Sequence, residues 1–184
     1  MILETKRLTI RPIQPDDKNK VFEYRSDRET NQYQGWIPET LSDVVTFIEN
    51  VSKEIDVPET WFQFVIIEKA TQKIIGDLGI HFTGDENRQA EIGFTLSKHF
   101  QNKGYATEAV KRVIDFLFND LGKHRIIASI DPANKNSVRL VERLGFRKEA
   151  HFVESLLING QWVDDLIYAM IEKDWKTAEN FQPV

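Results

Sequence analysis

Apolar and polar positions change period several times along the chain, and each change marks an element. Leu8 and Ile10 alternate with Thr9 and Arg11, which predicts a first strand ended by Pro12. Residues 16–26 read as a short helix. Thr40 with Asp43 three residues on forms a capping box, and Leu41, Val44, Val45, Ile48 and Val51 supply the apolar stripe of a second helix. Residues 61–68 and 73–82, rich in β-branched and aromatic side chains, flank the polar Ala70-Thr71-Gln72 and predict an antiparallel hairpin, to which 89–96 adds a third strand. From Ala106 the period turns helical through Ala109, Val110, Val113, Phe116, Leu117 and Leu121, with Gly122 as a cap. A strand over 125–131 stops at Pro132, a helix over 137–144 stops at Gly145, and strands over 155–158 and 161–171 flank the hairpin signal Asn159-Gly160.

Strands and helices mixed without repeat, linker or low-complexity tract make the class α/β or α+β, with one domain over 1–175 and a tail over 176–184. At 184 residues and 41% hydrophobic, the chain buries enough surface for a core without disulfide or metal support. It has no cysteine, which removes thiolate nucleophiles, Cys-ligated zinc and iron–sulfur centres. Any acyl transfer here proceeds without a cysteinyl intermediate. The four histidines, at 81, 99, 124 and 151, lack the spacing of a helical metal pair, so no metal site is expected. Charges at Glu4, Lys6, Arg7 and Arg11 break up a signal-peptide core, and no apolar run is long enough to cross a membrane; a cytoplasmic location is expected. With 24 basic and 29 acidic residues, a net charge of −5, the chain lacks the basic footprint of a nucleic-acid binder and suits cationic partners. Composition is equally consistent with a monomer or a homodimer.

The stretch AEIGFTLSKHFQNKGYATEAV runs from a strand through a loop containing Gly104 into a long helix. The first N–H groups of a helix lack internal partners and carry partial positive charge, so this junction can hold a diphosphate where side chains leave room. Gly104 and Ala106 leave that room, and Lys98, Lys103 and His99 add charge. A glycine turn before a helix is also an ordinary α/β feature. Neither GxGxxG nor GxxxxGK[ST] is present, which argues against NAD, a Rossmann oxidoreductase and ATP. On the preceding strand Ile92, Phe94 and Leu96 share one face and Glu91, Gly93 and Thr95 the other; Glu91 is a candidate base or a plain solvent-facing carboxylate. His81 falls on a face with Asp77 and Gly79 and could line a cleft. In IIASIDPANKNSVRLVERLGF, Asn134, Asn136 and Ser137 are good helix-start residues, and Asn134 and Ser137 are alternatively ligand contacts.

TKRLTIRP near the start, AEIGFTL followed by QNKGYATEA, and NKNSVRLVERLGF further on resemble the GCN5-related N-acetyltransferases (GNAT), and within them the RimJ/RimL-type ribosomal-protein N-terminal acetyltransferases. The resemblance covers about residues 3 to 173. It implies a mixed, mostly antiparallel twisted sheet of six or seven strands, splayed at its centre, with about four helices. It implies acetyl-CoA as donor, with its pantetheine arm paired to Phe94, Thr95 and Leu96. The diphosphate is expected at Gln101, Asn102, Lys103, Gly104, Tyr105, Ala106 and Thr107, with Asn134 on the cofactor arm.

The same resemblance makes Glu91 the general base for a primary amine and places amide N–H groups near Phe94–Leu96 at the thioester oxygen. Many relatives carry a tyrosine seven residues after Asn134, where this chain has Val141, so Ser137 is the expected support for the departing thiolate. Tyr33, Trp36 and His81 are expected at the acceptor. The acceptor implied first is a protein or peptide N-terminus. A polyamine or other small amine is the alternative, and a non-catalytic acetyl-CoA sensor is the alternative of another class.

Overall fold

Strands β1 (Leu3–Glu4), β2 (Leu8–Pro12), β3 (Trp61–Glu68), β4 (Lys73–Thr83), β5 (Gln89–Leu96), β6 (Arg125–Ile130), β7 (Arg147–Ile158) and β8 (Gln161–Ile171) form one sheet in the order β1-β2-β3-β4-β5-β6-β8-β7. The computed structural model describes every residue except Asp85, Asn159 and 181–184, and no side chain past Thr177. Asn159, half of the expected hairpin signal, lies outside the described residues. All neighbouring strands are antiparallel except β5 and β6.

Helices α1 (Lys18–Arg25), α2 (Leu41–Asn50), α3 (Tyr105–Asp115), α4 (Lys135–Arg143) and α5 (Glu172–Asn180) cover the two faces. Alternation along the strands decides which residues meet which helices. Phe62, Phe64, Leu78, Ile80, Phe82, Ile92, Ile126, Ala128, Leu166, Tyr168 and Met170 join Val110, Val113 and Ile114 of α3, Leu117 of the turn that follows it, Leu140 and Val141 of α4, and Trp175 of α5 in the main core. On the opposite face Val65 packs with Val21 and Tyr24 of α1 and Val44 and Ile48 of α2. The capping box forms as expected: Thr40 Oγ1 accepts from the Asp43 N–H, and Asp43 Oδ2 accepts from the Thr40 N–H at 2.8 Å.

The sheet has eight strands where six or seven were expected, and five helices where four were. The added strand, β1, spans two residues and is too short to show a period. The added helix, α5, runs through Lys176, where a tail was expected to begin, and buries Trp175 against the main core. β7 is twelve residues long rather than the four of 155–158. It is an edge strand exposed along most of its length, so no alternation betrays it. Among the described residues no helix is long and apolar enough to cross a membrane.

Candidate active site

The site begins where β5 and β6 part. They pair in parallel at Gln89↔Arg125, Ala90↔Ile126 and Glu91↔Ile127, and then no further, although both strands continue. Glu91 therefore stands at the closed end of a fork. The Ser97 N–H donates to Ile75 O at 2.9 Å, and alternation from that bond gives the backbone groups of Thr95, Gly93 and Glu91 to β4. Those of Phe94 and Leu96 consequently point into the opening, where Gln101 Nε2 donates to Leu96 O at 3.0 Å.

Beyond the fork, α3 starts from Gly104, which holds the left-handed conformation at φ +79° that favours glycine. Its first intrahelical amide is that of Glu108, which donates to Gly104 O at 3.0 Å; the amides of Tyr105, Ala106 and Thr107 precede it. The TKR segment before β2 braces this start. Thr5 Oγ1 and the Arg7 N–H donate to Glu108 Oε1 at 2.6 and 2.9 Å, Arg7 Nε to Glu108 Oε2 at 2.6 Å, and Arg7 Nη1 to Lys103 O at 2.9 Å. The Arg7 guanidinium also lies 4.4 Å from the Tyr105 ring centre. Burial pushes the Glu108 carboxyl up, but these hydrogen bonds outweigh it and hold the group below its ordinary range.

Fork and helix start open onto one cavity of about 540 Å³. It brings together Phe94, Thr95, Leu96, Gln101, Asn102, Gly104, Tyr105, Ala106, Thr107, Asn134, Ser137 and Tyr33 of the residues expected from the sequence. Asn134 caps α4 by accepting from the Ser137 N–H at 3.2 Å, as the capping reading expects, and both residues line the cavity. Thr95 lines this cavity, while its Oγ1, which alternation turns to the face of Glu91 rather than toward α3 and α4, is buried without a hydrogen-bond partner. Lys103 does not line the cavity; its ammonium sits 5.5 Å from the Phe100 ring centre. Trp36 also lies elsewhere, stacked on Phe47 at 4.7 Å in the second core. Sequence reasoning missed Arg139 and Arg143, two cavity-lining cations one helical turn apart on α4 that form no ion pair among the described residues. Their i, i+4 spacing after Ser137 was the signal available.

The opposite side of the fork is the face of Glu91. Strand pairing runs Trp61↔His81↔Glu91↔Ile127 straight across the sheet, and the Trp61 and His81 rings stack at 4.8 Å. Gly79 lets this wall form: a Cβ there would lie 2.8 Å from Gln63 Oε1 and 3.2 Å from the Trp61 ring. A Cβ on Gly93 would meet nothing within 4 Å, so the floor beside Glu91 is open. Burial pushes the Glu91 carboxyl above its ordinary range, while His81 pulls it back and Asp165 pushes it further up. Deeper on the same face Asp77 is fully buried and accepts from Tyr24 Oη at 2.6 Å, Arg25 Nε at 2.9 Å and Gln63 Nε2 at 3.0 Å, tying α1 to the sheet. Val141, at the position of the expected tyrosine, is fully buried. Tyr168 beneath α4 donates to Glu142 Oε1 at 2.8 Å, its own proton held up to about 12 chiefly by burial, and does not line the cavity.

A sheet forked at its centre over a bare helix start makes a site that can take an extended, diphosphate-bearing ligand. The chain belongs to the GNAT acetyltransferases: residues 7–147 match the Acetyltransferase (GNAT) domain family. It is 32% identical to an uncharacterized N-acetyltransferase, p20, of Bacillus licheniformis, over 94% of this chain and 97% of that one. It is 28% identical to a spermidine N(1)-acetyltransferase of Vibrio cholerae over 86% of this chain and 89% of that protein. An acetyltransferase structure of the GNAT family from Bacillus anthracis superposes with a TM-score of 0.83 at 29% identity, covering 94% of this chain and 99% of that one. The protein is an acetyl-CoA-dependent N-acetyltransferase. The unpaired strand edge and the bare α3 amides fit acetyl-CoA.

Proposed function

We propose that this enzyme acetylates the N-terminal α-amine of a protein or peptide in the cytoplasm, with Glu91 as general base. Acetyl-CoA, held by the Phe94–Leu96 edge, the Gln101–Thr107 junction and Asn134, supplies a thioester already activated toward amines. Glu91 at the closed end of the fork carries the reading: it is half-buried, raised in pKa, and faces the open floor over Gly93. A carboxylate so placed takes a proton from the arriving ammonium near neutral pH, a role typically worth ~10²–10⁴ in rate. Ser137, whose hydroxyl no described residue engages, holds a proton at the α4 end of the cavity for the departing thiol. Tyr33 lines the acceptor approach, and His81 with Trp61 forms its wall.

The acceptor class draws support from relatives of this type. A putative ribosomal N-acetyltransferase of Bacillus subtilis, YdaF, is 25% identical over 93% of the chain, and the ribosomal protein uS5-alanine N-acetyltransferase of Escherichia coli is 38% identical over 84 residues. The second reading is a polyamine acceptor, which the V. cholerae spermidine enzyme favours over a longer span. Acetyl-CoA offered with a panel of basic N-terminal peptides, spermidine and short alkylamines decides between them. Peptide turnover with little on spermidine is the expected result; preference for spermidine reverses the assignment, and no turnover of any amine removes both.

A further inference from the structure

Glu91 occupies one lip of the fork, β5, and a second carboxylate stands behind the opposite lip, β6, on the neighbouring strand β8. On β6, Ser129 pairs in register with Ile167 of β8, and its hydroxyl donates to Asp165 Oδ1 at 2.8 Å. Leu166, Tyr168 and Met170 of β8 point into the main core, so Asp165 takes the other face, which is also the face of Glu91, His81 and Trp61. Asp165 is 7% exposed, Ser129 is its one hydrogen-bond donor among the described residues, and none of their cationic side chains pairs with it. The serine meets only Oδ1; Oδ2 takes no hydrogen bond from a described residue yet is not sealed from solvent, so it is free to meet a cation.

Such a cation has a natural source. An aliphatic amine arrives at neutral pH largely as ammonium, and it must reach the fork between these two lips. We propose that Asp165, oriented by Ser129, binds the ammonium of the acceptor opposite Glu91 and makes the enzyme selective for amines that arrive protonated. This rests on acetyl transfer taking place at the fork with Glu91 as base. The charged groups facing Glu91 are then His81 from β4 and Asp165 from β8, which act on its carboxyl in opposite directions.

The test is Asp165→Asn, which keeps the shape and removes the charge, with n-butylamine as a protonated probe and trifluoroethylamine as a neutral one at pH 7. KM for n-butylamine should rise roughly tenfold with kcat little changed, because a hydrogen bond to a charged group is lost, while KM for trifluoroethylamine stays. In the protein without acetyl-CoA, the Glu91 carboxyl followed by carbon NMR should titrate at lower pH in the variant. Asp165→Glu should recover part of the n-butylamine affinity. Ser129→Ala, a milder change, should move KM in the same direction should Asp165→Asn fail to fold. Equal KM changes for both amines, or an unmoved Glu91 titration, overturn the proposal. Glu91→Gln separates the two ideas: full activity in that variant defeats the base, whereas its inactivity beside an unaffected Asp165→Asn enzyme defeats only the ammonium site.

Discussion

Glu91, the base proposed above, is a side chain held at the expense of stability. Its carboxyl binds a proton more readily in the folded chain than in the unfolded one, because burial disfavours the charged form. Between the ordinary carboxylate range and the raised value, the folded state thus holds more protons, and stability falls as pH rises through that window. The charge is a net cost at neutral pH. Glu91→Gln should accordingly lose ~10²–10⁴ in kcat yet melt at a higher temperature than the parent at pH 7, the gap closing below the ordinary carboxylate range. Calorimetry across pH and steady-state kinetics on the same variant read both; a lower melting temperature at pH 7 contradicts the burial account. The alternation AEIGFTL placed Glu91 on its face from sequence, since a period of two needs no tertiary information. That the face is an open cleft was not legible there, for it depends on Gly79 and Gly93 meeting across two strands. Asp165 was invisible for a similar reason: in the run Val163-Asp164-Asp165 either aspartate reads as a surface charge until β8 is registered against Ser129.

At the scale of elements, the start of α3 is an assembled feature rather than a local one. A glycine turn opens the helix, but Thr5 and Arg7, about a hundred residues earlier, fix its first turn through Glu108. Arg7→Ala removes the brace and should raise KM for acetyl-CoA roughly tenfold, equivalent to ~1.4 kcal/mol, with a smaller change in kcat. Glu108 is lowered in the folded state, so the stability it contributes is present above its unfolded pKa and is lost as pH falls through the folded value. Melting of the parent should therefore depend more steeply on acid pH than melting of Arg7→Ala; identical slopes would mean the brace carries no folding energy. Elements with a buried stripe were readable from sequence, among them α2 with its capping box and β3 to β5. Those that failed lack such a stripe: β1 is two residues, β7 is an exposed edge, and α5 buries only Trp175 among its described side chains.

The whole molecule uses its sheet as a partition. Helices α3 and α4 stand on one face with the cavity proposed for the donor, α1 and α2 cover part of the other, and the fork between β5 and β6 opens between them. The pair can part without unravelling because antiparallel neighbours hold each strand from its other side: β5 remains bonded to β4 through Leu96 and β6 to β8 through Ile130. Each lip is thus rigid although the edge between them is bare. Amide exchange should expose this directly. Thr95 and Gly93, bonded to β4, should be protected with or without ligand, whereas Phe94 and Leu96, whose backbones point into the opening, should exchange fast in the free protein and slow when acetyl-CoA is added. Saturation at 100 times Kd should add about 2.7 kcal/mol to global stability, and Glu91→Gln should keep that gain because its side chain faces the acceptor side. Protection that rises uniformly over Gly93–Leu96 would mean that the donor tightens the whole strand rather than completing one unpaired edge.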